Sequence, residues 1–139
     1  MLLAKPQRGV ATPRVYGLLD QMGIRVHPDT GHLIGALSES AAAVARRMGN
    51  VLEPVTGKLC GDIGILKETM LRGGALGAMM TGSGTTVFGI FDDEGKARAA
   101  AAEIRRRKRS YFTYVARPVH HGVCEKTLSS DEESAERQV

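Results

Sequence analysis

Only two cysteines, Cys60 and Cys124, occur in the 139 residues, far apart and without metal-ligand spacing. Stability from a disulfide framework is thereby excluded, and free thiols in a reducing compartment are expected. Long apolar runs are also lacking, since none approaches the roughly 18 residues of a membrane span. The opening Met1-Leu2-Leu3-Ala4-Lys5-Pro6 is too short for the apolar core of a secretory signal. A soluble cytoplasmic protein with no membrane partner is the expectation. No internal repeat is present.

What is present suits one globular domain. Hydrophobic residues make up 42% of a chain of ordinary domain length, enough for a real core. The formal net charge of +4 is unevenly spread, because Arg105-Arg106-Arg107-Lys108-Arg109 is wholly positive and residues 131–139 are net acidic. Clustered positives can bind nucleic-acid phosphates. This run lacks interleaved aromatics and ends a helical pattern, where cations are favourable, so a solvated helix end is the better reading and no nucleic-acid partner is expected.

The order of elements follows from spacing. Leu2 to Pro6 reads as a short strand, and Thr12-Pro13 as a helix cap with proline at the first helical position, opening a helix to about Met22. Pro28-Asp29 opens a second helix with Leu33, Ile34 and Leu37 inward. Ser38 is placed to cap a third, with Ala41, Val44, Ala45 and Met48 on one face and Gly49-Asn50 as its end. Pro54 begins a short helical turn, and Leu59, Ile63, Leu66 and Met70 mark an amphipathic helix stopped by Gly73-Gly74. Two apolar runs flank Thr81-Gly82-Ser83-Gly84. Asp92-Asp93 then caps a helix whose inner face is Ala97, Ala100, Ala101 and Ile104, and Tyr111 to Val115 is the last strand. The predicted class is α+β, a small and mainly antiparallel sheet covered by helices on one side, over residues 1–118. Residues 119–139 are expected to form a polar, disordered tail.

The most informative segment is the turn from Thr81 to Thr85. Gly82 and Gly84 tolerate positive φ and carry no Cβ, so backbone amides there can face a concavity that holds phosphate. Thr81, Ser83 and Thr85 bring hydroxyls to the same place. From the residues alone, a structural hairpin is the commoner outcome.

Three segments resemble the C-terminal half of the GHMP kinases, and within them the kinases of diphosphocytidyl-methylerythritol in the non-mevalonate isoprenoid pathway. The first is Lys5-Pro6 with Gly9-Val10-Ala11-Thr12-Pro13-Arg14-Val15-Tyr16. The second is Gly49-Asn50-Val51-Leu52-Glu53-Pro54-Val55. The third runs from Ile65-Leu66-Lys67-Glu68 through Gly74-Ala75-Leu76-Gly77-Ala78-Met79-Met80-Thr81-Gly82-Ser83-Gly84 to Phe91 and resembles the third GHMP motif. The resemblance implies a ferredoxin-like C-terminal domain of an enzyme that phosphorylates the substrate's 2-hydroxyl with ATP and Mg2+. It implies that Thr81, Gly82, Ser83, Gly84 and Thr85 close over the phosphate region, that Thr12 lies near the methylerythritol portion, and that Tyr16 stacks on cytosine. Thr85 departs from the family's usual proline, and Ala11 from a common serine.

The family's nucleotide loop, of the type Pro-x-x-x-Gly-Leu-Gly-Gly-Gly, is not found, nor are its base-like aspartate and assisting lysine. No catalytic residue is therefore assigned, ATP and Mg2+ are expected to be held mainly by an N-terminal half, in the same chain or in trans, and the chain alone is expected to be inactive. The alternative is a non-catalytic binding or docking module that keeps the half-fold. Asp62, Glu68, Asp92 and Asp93 read as helix caps and solvated side chains rather than acid/base groups. His120, His121 and Cys124 match no known metal spacing, so no metal site is expected. Leu2, Tyr16 and the loop are expected to line one exposed face.

Overall fold

The computed structural model describes residues 1–24 and 27–118. Their elements are β1 (Leu2–Lys5), α1 (Thr12–Met22), α2 (Thr30–Ala36), α3 (Ala41–Arg47), α4 (Glu53–Leu59), α5 (Asp62–Arg72), β2 (Gly77–Met80), β3 (Val87–Ile90), α6 (Glu94–Arg107) and β4 (Phe112–Val115). The expected tail, and with it His120, His121 and Cys124, lies outside the described residues. No helix among the described residues is long and apolar enough to cross a membrane.

All strand pairs are antiparallel, in the order β2-β3-β1-β4. Leu2 pairs with Gly89 and Val115, and Ala4 with Val87 and Thr113. The first strand in sequence is thus an inner one, between β3 and β4, and the order is that of a ferredoxin-like α+β domain, as expected. Side chains alternate across each strand, so Leu2, Ala4, Val87 and Met80 share one face. All four are fully buried there, in one core with Ile63, Leu66 and Met70 of α5 and Ala97, Ala100, Ala101 and Ile104 of α6. Leu2 is therefore a core residue and not part of an exposed ligand face. Phe112 and Tyr114 point from β4 to the opposite, exposed face.

Small residues set the spacing of the layers. A Cβ on Gly73 would come 2.8 Å from the Ala100 Cβ where α5 ends against α6, and one on Gly77 would come 2.9 Å from the Ala45 Cβ of α3. Asp93 caps α6, its carboxylate accepting from the Lys96 N–H at 2.8 Å. The positive run finds partners inside the domain: Arg105 donates to the Thr113 hydroxyl, Arg106 and Arg107 pair with Glu103, and Lys108 reaches Asp62. The guanidinium of Arg106 foremost, and that of Arg107 next, hold the Glu103 carboxyl down at about 2.

The helices between β1 and β2 depart from the spacing argument. The cap of α3 is Ser40, accepting from the Ala43 N–H at 3.1 Å, because Ser38 and Glu39 still turn on hydrogen bonds from the end of α2. The shift buries Ala43 and Ala45 and leaves Ala41 exposed. Helix α2 spans only seven residues and packs on α3, burying a narrow arc at Ala36, so Ile34 and Leu37 stand outward, 66% and 70% exposed. Leu59 ends α4 rather than opening α5, with Cys60 and Gly61 between them.

These placements separate two leucines. Leu66→Ala, in the core, is expected to cost about 2–5 kcal/mol, and Leu37→Ala less than about 0.5 kcal/mol, in urea-unfolding midpoints. Comparable losses would contradict the outward placement of Leu37. Tyr111, buried just before β4, is also informative. Burial, and then the Asp62 carboxylate, push its phenol up to about 12. The folded state favours the protonated phenol, so this contribution is complete below the unfolded tyrosine value near 10 and is lost as pH rises through about 12. Tyr111→Phe is expected to flatten the fall in stability between those pH values, measured by unfolding at a series of alkaline pH values.

Candidate functional site

The loop between β2 and β3 is a tight, internally bonded turn. The Thr81 N–H donates to the Thr86 carbonyl at 2.9 Å and the Gly84 N–H to the Thr81 carbonyl at 3.1 Å. Gly82 has φ +57° and Gly84 φ +93°, conformations that a side chain disfavours, and the Gly84–Thr85 peptide is cis. Gly84 is confined as well. A Cβ there would meet the Met80 sulfur at 2.6 Å and the Thr56 methyl at 3.0 Å, whereas Gly82 faces open space. Among the described residues, neither the Gly82 nor the Ser83 N–H has an acceptor, which leaves two donors free at the tip.

The hydroxyls predicted for this site separate into two groups. Thr85 is 1% exposed and donates to the Arg8 carbonyl at 3.1 Å, so it anchors the loop to the segment after β1 and offers nothing outward. Ser83 lies at the tip, its hydroxyl 2.9 Å from that of Thr12. Thr12 is the first residue of α1 rather than its cap; Ala11 takes the cap position without a side-chain bond. Freed from capping, the Thr12 hydroxyl reaches the loop. Tyr16 follows one turn later on the same helix face, 50% exposed, while its neighbour Val15 is fully buried. Thr12, Tyr16, Gly82 and Ser83 thus come together, and Thr81 stands exposed beside them.

What sequence reasoning missed is the apparatus behind the loop. The Asn50 amide donates to the Met80 carbonyl at 2.8 Å and the Gly82 carbonyl at 2.9 Å. Glu53 accepts from the Met80 N–H at 2.7 Å and pairs with Lys67 of α5. Thr56, fully buried on α4, donates to the Ser83 carbonyl at 3.0 Å. The signal for them was the Asn50-Val51-Leu52-Glu53 segment, which carried resemblance but no assigned contact.

A cavity of about 600 Å3 lies elsewhere, lined by Gln7, Arg8, Cys60, Asp62, Ile65 and Lys108. The loop and Tyr16 stand on open surface instead. Among the described residues no three His, Cys, Asp or Glu side chains gather as a metal site. The acidic residues weighed earlier are occupied: Asp92 pairs with Lys96, Glu68 with Arg72, Asp62 with Lys108, and Asp93 caps α6. Chemically, the surface can bind and orient a ligand through two amides, two hydroxyls and one aromatic ring.

Residues 30–109 match the family model for the C-terminal part of the GHMP kinases. The chain is 44% identical over 115 residues to 4-diphosphocytidyl-2-C-methyl-D-erythritol kinase of Lachnospira eligens, covering 82% of this chain and 40% of that protein. It is 48% identical over 99 residues to the protein of the same name in Clostridium novyi, covering 70% and 35%. A crystal structure of 4-(cytidine 5'-diphospho)-2C-methyl-D-erythritol kinase matches with TM-score 0.64 at 23% identity, over 81% of this chain and 40% of that one. Homoserine kinase of Cytophaga hutchinsonii matches with TM-score 0.66 at 18% identity, over 84% and 40%. The chain spans less than half the length of these relatives.

The two loop glycines are expected to differ in cost. Gly82→Ala meets open space and costs only the left-handed conformation, about 1–2 kcal/mol, while Gly84→Ala adds two steric contacts and costs more. Urea denaturation of both variants checks the ranking, and equal midpoints would contradict it.

Proposed function

The chain belongs to the GHMP kinases by its C-terminal domain, and within that family we propose that it is the substrate-binding part of a kinase acting on 4-diphosphocytidyl-2-C-methyl-D-erythritol. The whole enzyme would transfer a phosphoryl group from ATP to the substrate's 2-hydroxyl in non-mevalonate isoprenoid synthesis, in the cytoplasm. The observation that carries the reading is the hydroxyl contact between Thr12 and Ser83. It joins the helix face bearing Tyr16 to the glycine loop, so one ligand can touch a flat ring and a set of phosphate donors at once.

Phosphoryl transfer depends mostly on positioning and on stabilising charge around the transferred group. This domain supplies the first. The Tyr16 ring stacks on the cytosine, Thr12 meets the methylerythritol portion, and Ser83 with the free Gly82 and Ser83 amides donates to phosphate. Thr81, Gly82, Gly84 and Thr85 give the loop its shape. Mg2+ and most contacts to ATP belong to the remainder of the longer protein, in the same polypeptide or in trans. Residues 1–118 form the domain. A docking module that merely keeps the half-fold is not favoured, since the relatives that the chain matches at 44% and 48% identity are named as the kinase.

Titration calorimetry with cytidine 5'-diphosphate tests the reading. Saturable binding is expected, weakened about tenfold or more by Tyr16→Ala, because base stacking on an aromatic ring is worth about 1–3 kcal/mol. Absence of binding, or indifference to Tyr16→Ala, would overturn it. In a kinase assay with ATP and the diphosphocytidyl substrate, the chain alone is expected to give no turnover and to gain it when an N-terminal half is added.

A further inference from the structure

We infer that Asn50, Glu53 and Thr56, with Lys67 behind Glu53, form a positioning clamp that stands in for a missing strand beside β2 and holds the glycine loop ready for its ligand. This deepens the proposed function and rests on it for the identity of the ligand, but not for the clamp itself.

The reason lies at the sheet edge. β2 is an outer strand, so one row of its backbone groups has no neighbouring strand. Met80, the last residue of β2 before the loop, is fully buried, and an unmet backbone group there costs about 1–3 kcal/mol. Both of its groups are met by side chains, the N–H by Glu53 and the carbonyl by Asn50. The same Asn50 amide holds the Gly82 carbonyl, and Thr56 holds that of Ser83. Four backbone groups from Met80 to Ser83 are therefore fixed by one short segment, residues 50–56.

The clamp is itself held. The Asn50 carbonyl oxygen accepts from the Leu52 N–H at 2.9 Å, which sets which way its amide points. Lys67 approaches the second Glu53 oxygen, and the two side chains are only 28% and 19% exposed. A charge-assisted bond in such a setting is stronger than a neutral one. Holding the Gly82 carbonyl inward turns the opposite edge of that peptide, the Ser83 N–H, outward, and beside it the Gly82 N–H also has no acceptor among the described residues.

Amide hydrogen exchange on the full chain, with Asn50→Ala, Glu53→Ala, Glu53→Gln and Tyr16→Ala, separates positioning from general stability. Glu53→Ala and Asn50→Ala are expected to speed exchange about tenfold or more at the loop, residues 81–86, and to leave α6 unchanged. Glu53→Gln, which keeps an acceptor for the Met80 N–H, is expected to restore most of the protection, and Tyr16→Ala to leave the loop as it is. In parallel, cytidine 5'-diphosphate affinity should fall about tenfold in Glu53→Ala and recover in Glu53→Gln. Unchanged loop exchange, a uniform rise across the domain, or a loosened loop with unaltered affinity would each overturn the inference. A chain that binds no cytidine nucleotide would sink the functional reading, while loop exchange alone would still decide the clamp.

Discussion

The constraint on which the rest depends is the bare edge of β2 at Met80. A buried N–H and carbonyl that face no strand must be satisfied by something, and side chains from the Asn50–Thr56 segment satisfy them. That requirement fixes α4 against the sheet edge and ties α5 in through Lys67. It also removes most of the freedom of a glycine-rich turn. Gly82 and Gly84 permit the backbone path, but the bonds to Asn50 and Thr56 select it. Permissive glycines with a rigid surround are the combination that lets backbone amides act as fixed donors without reorganisation.

A second consequence concerns α1. The helix begins without a side-chain cap, and the Thr12 hydroxyl that a cap would use lies instead against Ser83. A small loss in helix-end stability, of the order of 1 kcal/mol, accompanies the gain of a bridge between helix and loop. Val15, fully buried, sets the rotation of α1 so that Thr12 and Tyr16 share the outer face. Thr85, drawn inward to the Arg8 carbonyl, fastens the other end of the loop to the chain leading into that helix. Loop and helix are therefore two parts of one joined surface.

Much of this was legible in the residues, and unevenly so. The strands, the long helices and the Ala97-Ala100-Ala101-Ile104 face were readable because period and capping agree there with burial. The helices around Leu37 and Ala41 were misplaced because α2 rests on α3, which in turn meets the sheet through the Ala45–Gly77 approach, and local spacing does not tell which arc a neighbour covers. The loop was visible through its glycines. Its holders were not, because Asn50, Glu53 and Thr56 act across 27 to 32 residues, on backbone groups whose lack of a strand partner is a property of sheet order alone. Likewise, nothing local distinguishes a threonine that caps a helix from one that reaches another loop.

The central claim is that the face of α1 and the glycine loop form a single contact surface for a cytidine diphosphate group. Amide chemical-shift mapping during titration with cytidine 5'-diphosphate tests it most directly. The account requires concerted, saturable shifts at Thr12, Tyr16, Gly82, Ser83 and Gly84 with one common affinity. Shifts confined to the cavity of Gln7, Arg8, Cys60 and Lys108, or none at the loop, would contradict it.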